Sequence, residues 1–285
     1  DNSKSSSGSV YVFTRSSDDG GTFTQQSKLH AKNSAVDHWF GHSVSLYGDT
    51  ALIGAHGDDD NGQSNSGSVY VFTRSNADGG KFTQRSKLHA NDPADEDYFG
   101  WSVSLYGDTA LIGALYDDDN SQSNSGSVYV FTRSSVDLTF TQQSKLHASD
   151  AAVEDYFGVS VSLYGDTALI GAPGDGDNSQ SVSGSVYIFT RSGVDDATFT
   201  QQSKLHANDA VPDDRFGWSV SLYADTALIG AYKDDDNSKT DSGSVYVFKA
   251  PPPPPPSPPP SPPLPPPPLF LTSLVEYATQ PKLYA

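Results

Sequence analysis

The sequence predicts an all-β chain, a β-propeller-like array of about four four-stranded antiparallel blades followed by a polyproline II rod. Three observations predict it. The dipeptide Phe-Gly recurs with its Phe at Phe40, Phe99, Phe157 and Phe216, in steps of 59, 58 and 59 residues. Gly-Ala follows each Phe by fourteen residues, at Gly54, Gly113, Gly171 and Gly230. The segment SGSVYVF or SGSVYIF occurs five times, with its glycine at Gly8, Gly67, Gly126, Gly184 and Gly243. A fixed period of this length marks a repeat architecture, in which each unit buries its faces against its neighbours.

Each repeat reads as four short strands. The first resembles SVSLY (Ser43 to Tyr47) and the second TALIGA (Thr50 to Ala55). The third resembles SVYVF (Ser68 to Phe72) and the fourth FTQQSKLHA, which starts at Phe23, Phe82, Phe140 and Phe199. Val, Tyr, Phe, Thr and Ile suit a pleated, half-buried surface. None of the segments is long enough for a helix. Gly48-Asp49, Gly107-Asp108 and Gly165-Asp166 separate strands one and two, and Gly then Asp suits a two-residue type II′ turn. The last copy has Ala224-Asp225, so strain or another turn is expected there. Five third strands and four of each other type make seventeen strands, one more than four blades need. Such an array closes as a small ring, stays open and is completed by another chain, or is one piece of a longer protein.

Net charge is −18 and the pI about 4.4, which speaks against nucleic acid and anionic lipid as partners. Hydrophobic residues are 35% of the chain, diluted by turn residues and by a proline tail. There is no cysteine, hence no disulfide framework or thiol chemistry. There is no methionine either, so a processed N-terminus is expected; a cleaved signal peptide would fit that, and none is visible in the sequence. No apolar run approaches the roughly 18 residues of a membrane helix, so no membrane insertion is expected.

Phe-Gly, Gly-Ala and Gly-x-Val-Tyr-Val-Phe, repeated over residues 7 to 249, resemble the FG-GAP repeat family. That resemblance implies a β-propeller, best known from integrin α-subunit heads. Its members are usually secreted or cell-surface proteins that bind proteins or glycans. Integrin-type blades carry a calcium loop between Phe-Gly and Gly-Ala. Here that stretch is only the tight Gly-Asp turn, so those ligands have no counterpart. A full Gly-Ala-Pro occurs once, at Pro173.

An acidic cluster follows each Gly-Ala instead. Asp58, Asp60 and Asn61 are candidate ligands in the first copy, and Asp117, Asp119 and Asn120 in the second. Asp175, Asp177 and Asn178, then Asp234, Asp236 and Asn237, repeat the pattern. Hard cations take six to eight such oxygens, so structural calcium is one reading. Asp and Asn are also good turn formers that bond their own backbone, and solvated turns are the other reading. No other cofactor is expected.

No catalytic constellation is found: there is no G-x-S-x-G, H-E-x-x-H or phosphate loop. His30, His89, His147 and His206 occupy one repeat position and read as half-buried strand residues. His38, His42 and His56 belong to the first repeat alone. Trp39, Trp101 and Trp218 flank Phe-Gly and read as packing residues, with a carbohydrate-stacking surface as the alternative.

Three domains are expected: residues 1–250, 251–268 and 269–285. The middle one is nearly all proline, which forms polyproline II, a stiff rod of roughly 55 Å at about 3.1 Å per residue. Its Ser-Pro-Pro-Pro runs resemble the hydroxyproline-rich glycoproteins of plant and algal walls (extensins and pherophorins). The resemblance implies O-glycans on Pro251, Pro252, Pro253, Pro254, Pro255, Pro256, Ser257, Pro258, Pro259, Pro260, Ser261, Pro262, Pro263, Pro265, Pro266, Pro267 and Pro268. Residues 278–285, ATQPKLYA, echo the fourth-strand segment and would supply a strand to their own or a neighbouring sheet.

The function expected is that of a non-enzymatic extracellular structural glycoprotein, a propeller head on a rod that builds a surface coat, wall or filament. Self-assembly, or contact with other extracellular glycoproteins and glycans, is the partner expectation. The alternative is a cell-surface adhesion propeller with a protein or glycan ligand.

Overall fold

The computed structural model describes residues 4–15, 21–59, 62–75, 80–118, 121–176, 181–191, 198–235 and 239–249. The proline segment and everything after it lie outside these residues. All regular structure described is β, in seventeen strands and five antiparallel sheets.

Sheet I has two strands, β1 (Val10–Arg15) and β2 (Phe23–Leu29). Sheet II runs β3 (Val44–Tyr47), β4 (Thr50–Ala55), β5 (Ser68–Arg74) and β6 (Phe82–Leu88). Sheet III runs β7 (Phe99–Tyr106), β8 (Thr109–Ala114), β9 (Ser127–Arg133) and β10 (Phe140–Leu146). Sheet IV runs β11 (Ser160–Tyr164), β12 (Thr167–Ala172), β13 (Ser185–Thr190) and β14 (Thr200–Leu205). Sheet V has three strands, β15 (Phe216–Tyr223), β16 (Thr226–Ala231) and β17 (Ser244–Lys249). Each sheet is a meander in chain order. The expected four blades are thus three complete sheets, with a two-stranded sheet before them and a three-stranded one after.

The registers explain the repeat residue by residue. Tyr106 pairs with Thr109, leaving Gly107-Asp108 as the two-residue turn. Gly107 has φ +60, the value the first turn position needs, and Ala224 takes the same region at φ +52. The turn aspartate is also bonded: Arg133 Nε donates to Asp108 at 2.8 Å, and Arg191 Nε to Asp166 at 2.7 Å. In each fourth strand the pairing skips one residue, at Gln26, Arg85, Gln143 and Gln202. Such a bulge twists the strand locally.

The core lies between sheets. Phe99 and Phe157 are fully buried, and each meets a tyrosine and a phenylalanine of its own third strand edge-on. Phe99 lies 5.4 Å from Tyr129 and 5.9 Å from Phe131. The second glycine of the repeat is dictated by backbone contact: a Cβ on Gly113 would stand 2.1 Å from the carbonyl oxygen of Gly158 in the next sheet. Ser102 Oγ donates to that same carbonyl at 2.7 Å. Further cross-sheet bonds recur, such as Leu105 N–H to Ser45 Oγ and Leu163 N–H to Ser104 Oγ. Tyr47, Tyr106, Tyr164 and Tyr223 form a ladder with rings 5.0–5.1 Å apart.

Among the described residues the array does not close into a ring. Phe13 on the outward side of sheet I is 51% exposed, and Val247 on the outward side of sheet V is 68% exposed.

Candidate functional site

Two features gather polar and aromatic chemistry. The first is a clamp repeated in every sheet after the first. The acidic loop leaves the second strand and turns inward at once, so that Asp58, Asp117, Asp175 and Asp234 are all buried. The third strand presents a tyrosine twelve residues on. Its hydroxyl lies 2.6 Å from Asp117 Oδ2 for Tyr129, 2.6 Å from Asp175 for Tyr187 and 2.7 Å from Asp234 for Tyr246. The fourth strand adds a lysine: Lys87 reaches Asp58 at 3.2 Å, Lys145 reaches Asp117 at 2.9 Å, and Lys204 reaches Asp175 at 2.7 Å. Lys145 also bonds Asp92, and Lys204 bonds Asp150. Among the described residues sheet V has no fourth strand, so the fourth-strand lysine of the clamp has no counterpart at Asp234.

Burial and the aspartate charge push the tyrosine hydroxyls far above their ordinary value, so they remain neutral donors. Burial works against the charge on Lys145, and its bonds and Coulomb attraction to Asp117 and Asp92 outweigh that, holding it above its ordinary value. The backbone of the same aspartates closes the loop: Asp117 C=O accepts the Gly126 N–H at 2.9 Å. The next residue closes it again, as Asp118 Oδ1 accepts the Asn124 N–H at 2.7 Å. A second acid stands nearby. Asp97 and Asp155 accept the Ala94 and Ala152 N–H groups at 2.7 Å, and burial pushes both carboxyls up to about 6. In the first repeat that place is held by His38, 3.5 Å from Asp58.

The predicted ligands therefore divide. Asp58, Asp117, Asp175 and Asp234 meet tyrosine, and in three sheets lysine as well. Asp60, Asn61, Asp119, Asn120, Asp177, Asn178, Asp236 and Asn237 lie outside the described residues, as do the candidate glycan carriers 251–268. Among the described residues no group of three acidic or histidine side chains is placed to hold a metal ion. The tyrosine and lysine partners were missed in the sequence. Their signal was the constant twelve-residue step from Asp58, Asp117, Asp175 and Asp234 to the next SVYVF or SVYIF tyrosine.

The second feature is an aromatic rim at the loops flanking Phe-Gly. Trp39 stacks on His56 at 5.9 Å, His56 meets His42 at 4.3 Å, and His42 meets Trp101 at 4.4 Å. Tyr98, Tyr116 and Tyr156 continue the row, and Trp218 pairs with Tyr232 at 4.8 Å. Burial, then the neighbouring His42, lowers His56 to about 4. Trp39, Tyr98 and Tyr156 have φ between +57 and +58, unusual for bulky residues. Trp39 and Trp218 are exposed rather than packed in the core. The packing expectation fails for Trp39 because the backbone reverses there at φ +57 and the next residue, Phe40, takes the inward place. His30, His89, His147 and His206 are likewise exposed, not half-buried. They stand just past the fourth strand, between an inward Leu and an inward Ala, where alternation sends the imidazole outward.

The FG-GAP repeat profile matches residues 23–72, 82–131, 140–189 and 199–248. No curated protein matches the chain. Among solved structures the fold is similar to a putative 6-phosphogluconolactonase from Bacteroides uniformis, with a TM-score of 0.52 and 12% identity. The alignment covers 84% of this chain and 59% of that one, and at this identity it speaks to fold alone. Four profile matches, each running from the fourth strand of one sheet through the third strand of the next, establish that the chain belongs to the FG-GAP repeat family.

Proposed function

We propose that this chain is a non-enzymatic extracellular structural protein, a rigid FG-GAP head carried on a glycosylated proline rod and built into a surface coat or wall. The observation that carries this reading is the use the repeat makes of its chemically capable side chains. Asp117, Tyr129 and Lys145, with their equivalents, hold a loop against a strand in successive sheets. Groups already bonded to one another in this way reinforce a scaffold. Cross-sheet bonds from serines and the tyrosine ladder add stiffness along the array. Extracellular placement rests on the family, and glycosylation on the Ser-Pro-Pro-Pro composition of residues 251–268.

Two measurements test this. Antibody labelling of intact, unpermeabilised cells of the source organism is expected to decorate their surface. Mass spectrometry of the peptide spanning 251–268 is expected to show hydroxyl and sugar increments. A cytosolic signal together with a bare-peptide mass would refute the proposal.

The aromatic rim favours a second reading, adhesion through a glycan or protein ligand. Exposed indole faces stack well on sugar rings. Under this reading, retention on wall polysaccharide is lost in Trp39→Ala and Trp218→Ala. Retention unchanged in both removes it.

A further inference from the structure

Inside the array one interface recurs. The forward face of each sheet presents a leucine from its second strand and two aliphatic residues from its third. The rearward face of the next sheet presents Tyr and Phe from its third strand and Phe from its fourth. Leu52, Val69 and Val71 share a core with Tyr129, Phe131 and Phe140. Leu111, Val128 and Val130 share one with Tyr187, Phe189 and Phe199. Leu169, Val186 and Ile188 pack with Tyr246 and Phe248.

Among the described residues, the two ends carry halves of this interface that have no counterpart. On the forward face of sheet V, Leu228, Val245 and Val247 are 44%, 67% and 68% exposed. On the rearward face of sheet I, Tyr11, Phe13 and Phe23 are 52%, 51% and 69% exposed. Their equivalents in the complete sheets are nearly all buried. Apolar patches of this kind on a β-protein mark docking surfaces. The residues on the two ends are the two sides of the interface that neighbouring sheets of the chain build between them.

We infer that the forward face of sheet V docks on the rearward face of sheet I of a second copy, head to tail. The inference rests on the self-assembly reading and specifies its surfaces. Different residues stand on the two sides, so the contact is heterologous and each added copy leaves a free end for the next. Sheet I has two strands, so the contact covers the third- and fourth-strand half of the interface. Association is accordingly weaker than between sheets of one chain and grows with concentration. A mutant of either face stops growth at that face alone.

The chain has no cysteine, so introduced thiols report the contact without background. Full-length Phe13→Cys and Val247→Cys are prepared separately. Interior equivalents of this pair share a core, as Val71 does with Phe131 and Val130 with Phe189. Mild oxidation of the mixture is expected to give a disulfide dimer well above either variant alone, and the double variant a ladder on a non-reducing gel. Val247→Lys, which leaves a charge in the contact, is expected to weaken the concentration-dependent mass rise in sedimentation by about tenfold or more, with an unchanged melting curve. A wild-type chain that stays monomeric, a double variant that only closes on itself, or dimers formed by Val247→Cys alone would each overturn the inference. A monomer found at the cell surface refutes the docking alone, and a ladder-forming protein found in the cytosol refutes the extracellular role alone.

Discussion

At the scale of the residue, Tyr129 and Lys145 show how a buried carboxylate is paired. Asp117 is 4% exposed, and its charge is met by one ammonium and one hydroxyl. Removing the cation leaves an uncompensated buried charge, so Lys145→Met is expected to destabilise by about 3 kcal/mol in urea unfolding. Tyr129→Phe removes one bond and leaves the lysine, at about 1–2 kcal/mol. Adding Asp117→Asn to Lys145→Met should recover part of the loss, because the stranded charge goes with it. The neighbouring acids set a pH dependence. Asp97 and Asp155 rise in the fold from 3.8 to about 6, so their protonated forms are favoured. Their contribution is present below pH 4 and is lost as pH rises to about 6, by at most about 3 kcal/mol each. His56 falls from 6.5 to about 4, so its neutral form is favoured. Its contribution is present above pH 6.5 and is lost as pH falls toward 4. The two trends oppose each other in one window. Relative to wild type, Asp97→Asn with Asp155→Asn should shift the slope of melting temperature between pH 4 and 6.5 upward, and His56→Gln should shift it downward. Melting curves across that range check both signs.

At the scale of the element, strand identity and hairpin turns were legible in the sequence, and side-chain direction in the loops was not. Alternation in SVYVF and TALIGA, with Gly-Asp between strands one and two, is local information and gave the strands and turns. Asp58 also lies in a stretch that reads as a solvated turn. Its burial follows from a tyrosine twelve residues away and a lysine from the fourth strand, contacts visible only once the sheet is assembled. Trp39 was misread for the same reason: its outward ring follows from a φ of +57 that no pattern of residue types encodes. The glycines separate by mechanism. A Cβ on Gly107 would meet nothing within 4 Å, and Ala224 already occupies the equivalent turn. Gly107→Ala is therefore expected to cost about 1 kcal/mol, and Ala224→Gly to stabilise by up to about the same amount. Gly113→Ala would drive a methyl into the Gly158 carbonyl of the next sheet, forcing two backbones apart. Its cost should be about 3 kcal/mol or more in chemical denaturation. Equal effects at the two sites would mean that sheet-to-sheet contact at Gly158 is not what selects glycine.

At the scale of the array, the matching of each forward face to the next rearward face makes the stack nearly one-dimensional. Each sheet depends on its neighbours and on little beyond them. The sequence repeat is out of step with the sheets: a unit such as residues 82–131 gives β6 to sheet II and β7, β8 and β9 to sheet III. Every sheet is thus tied covalently to the next by its own outer strand, and among the described residues the first and last sheets are incomplete. This arrangement predicts that one whole period can be removed. Deleting residues 99–156 joins Tyr98 to Phe157, restoring the Tyr-Phe-Gly sequence found at both places. Sheet II would then meet sheet IV, with Val69 and Val71 facing Tyr187 and Phe189, chemically the same contact that Val128 and Val130 make now. The shortened chain should fold, keep its β-sheet circular dichroism and unfold cooperatively. Its denaturant m-value and unfolding enthalpy should fall roughly in proportion to the surface removed. A closed ring would answer differently, because excising one blade opens a seam and exposes two apolar faces. Loss of the fold in the deletion, with exposed hydrophobic surface detected by dye binding, would therefore show that the ends do meet and that the array is not free to change its length.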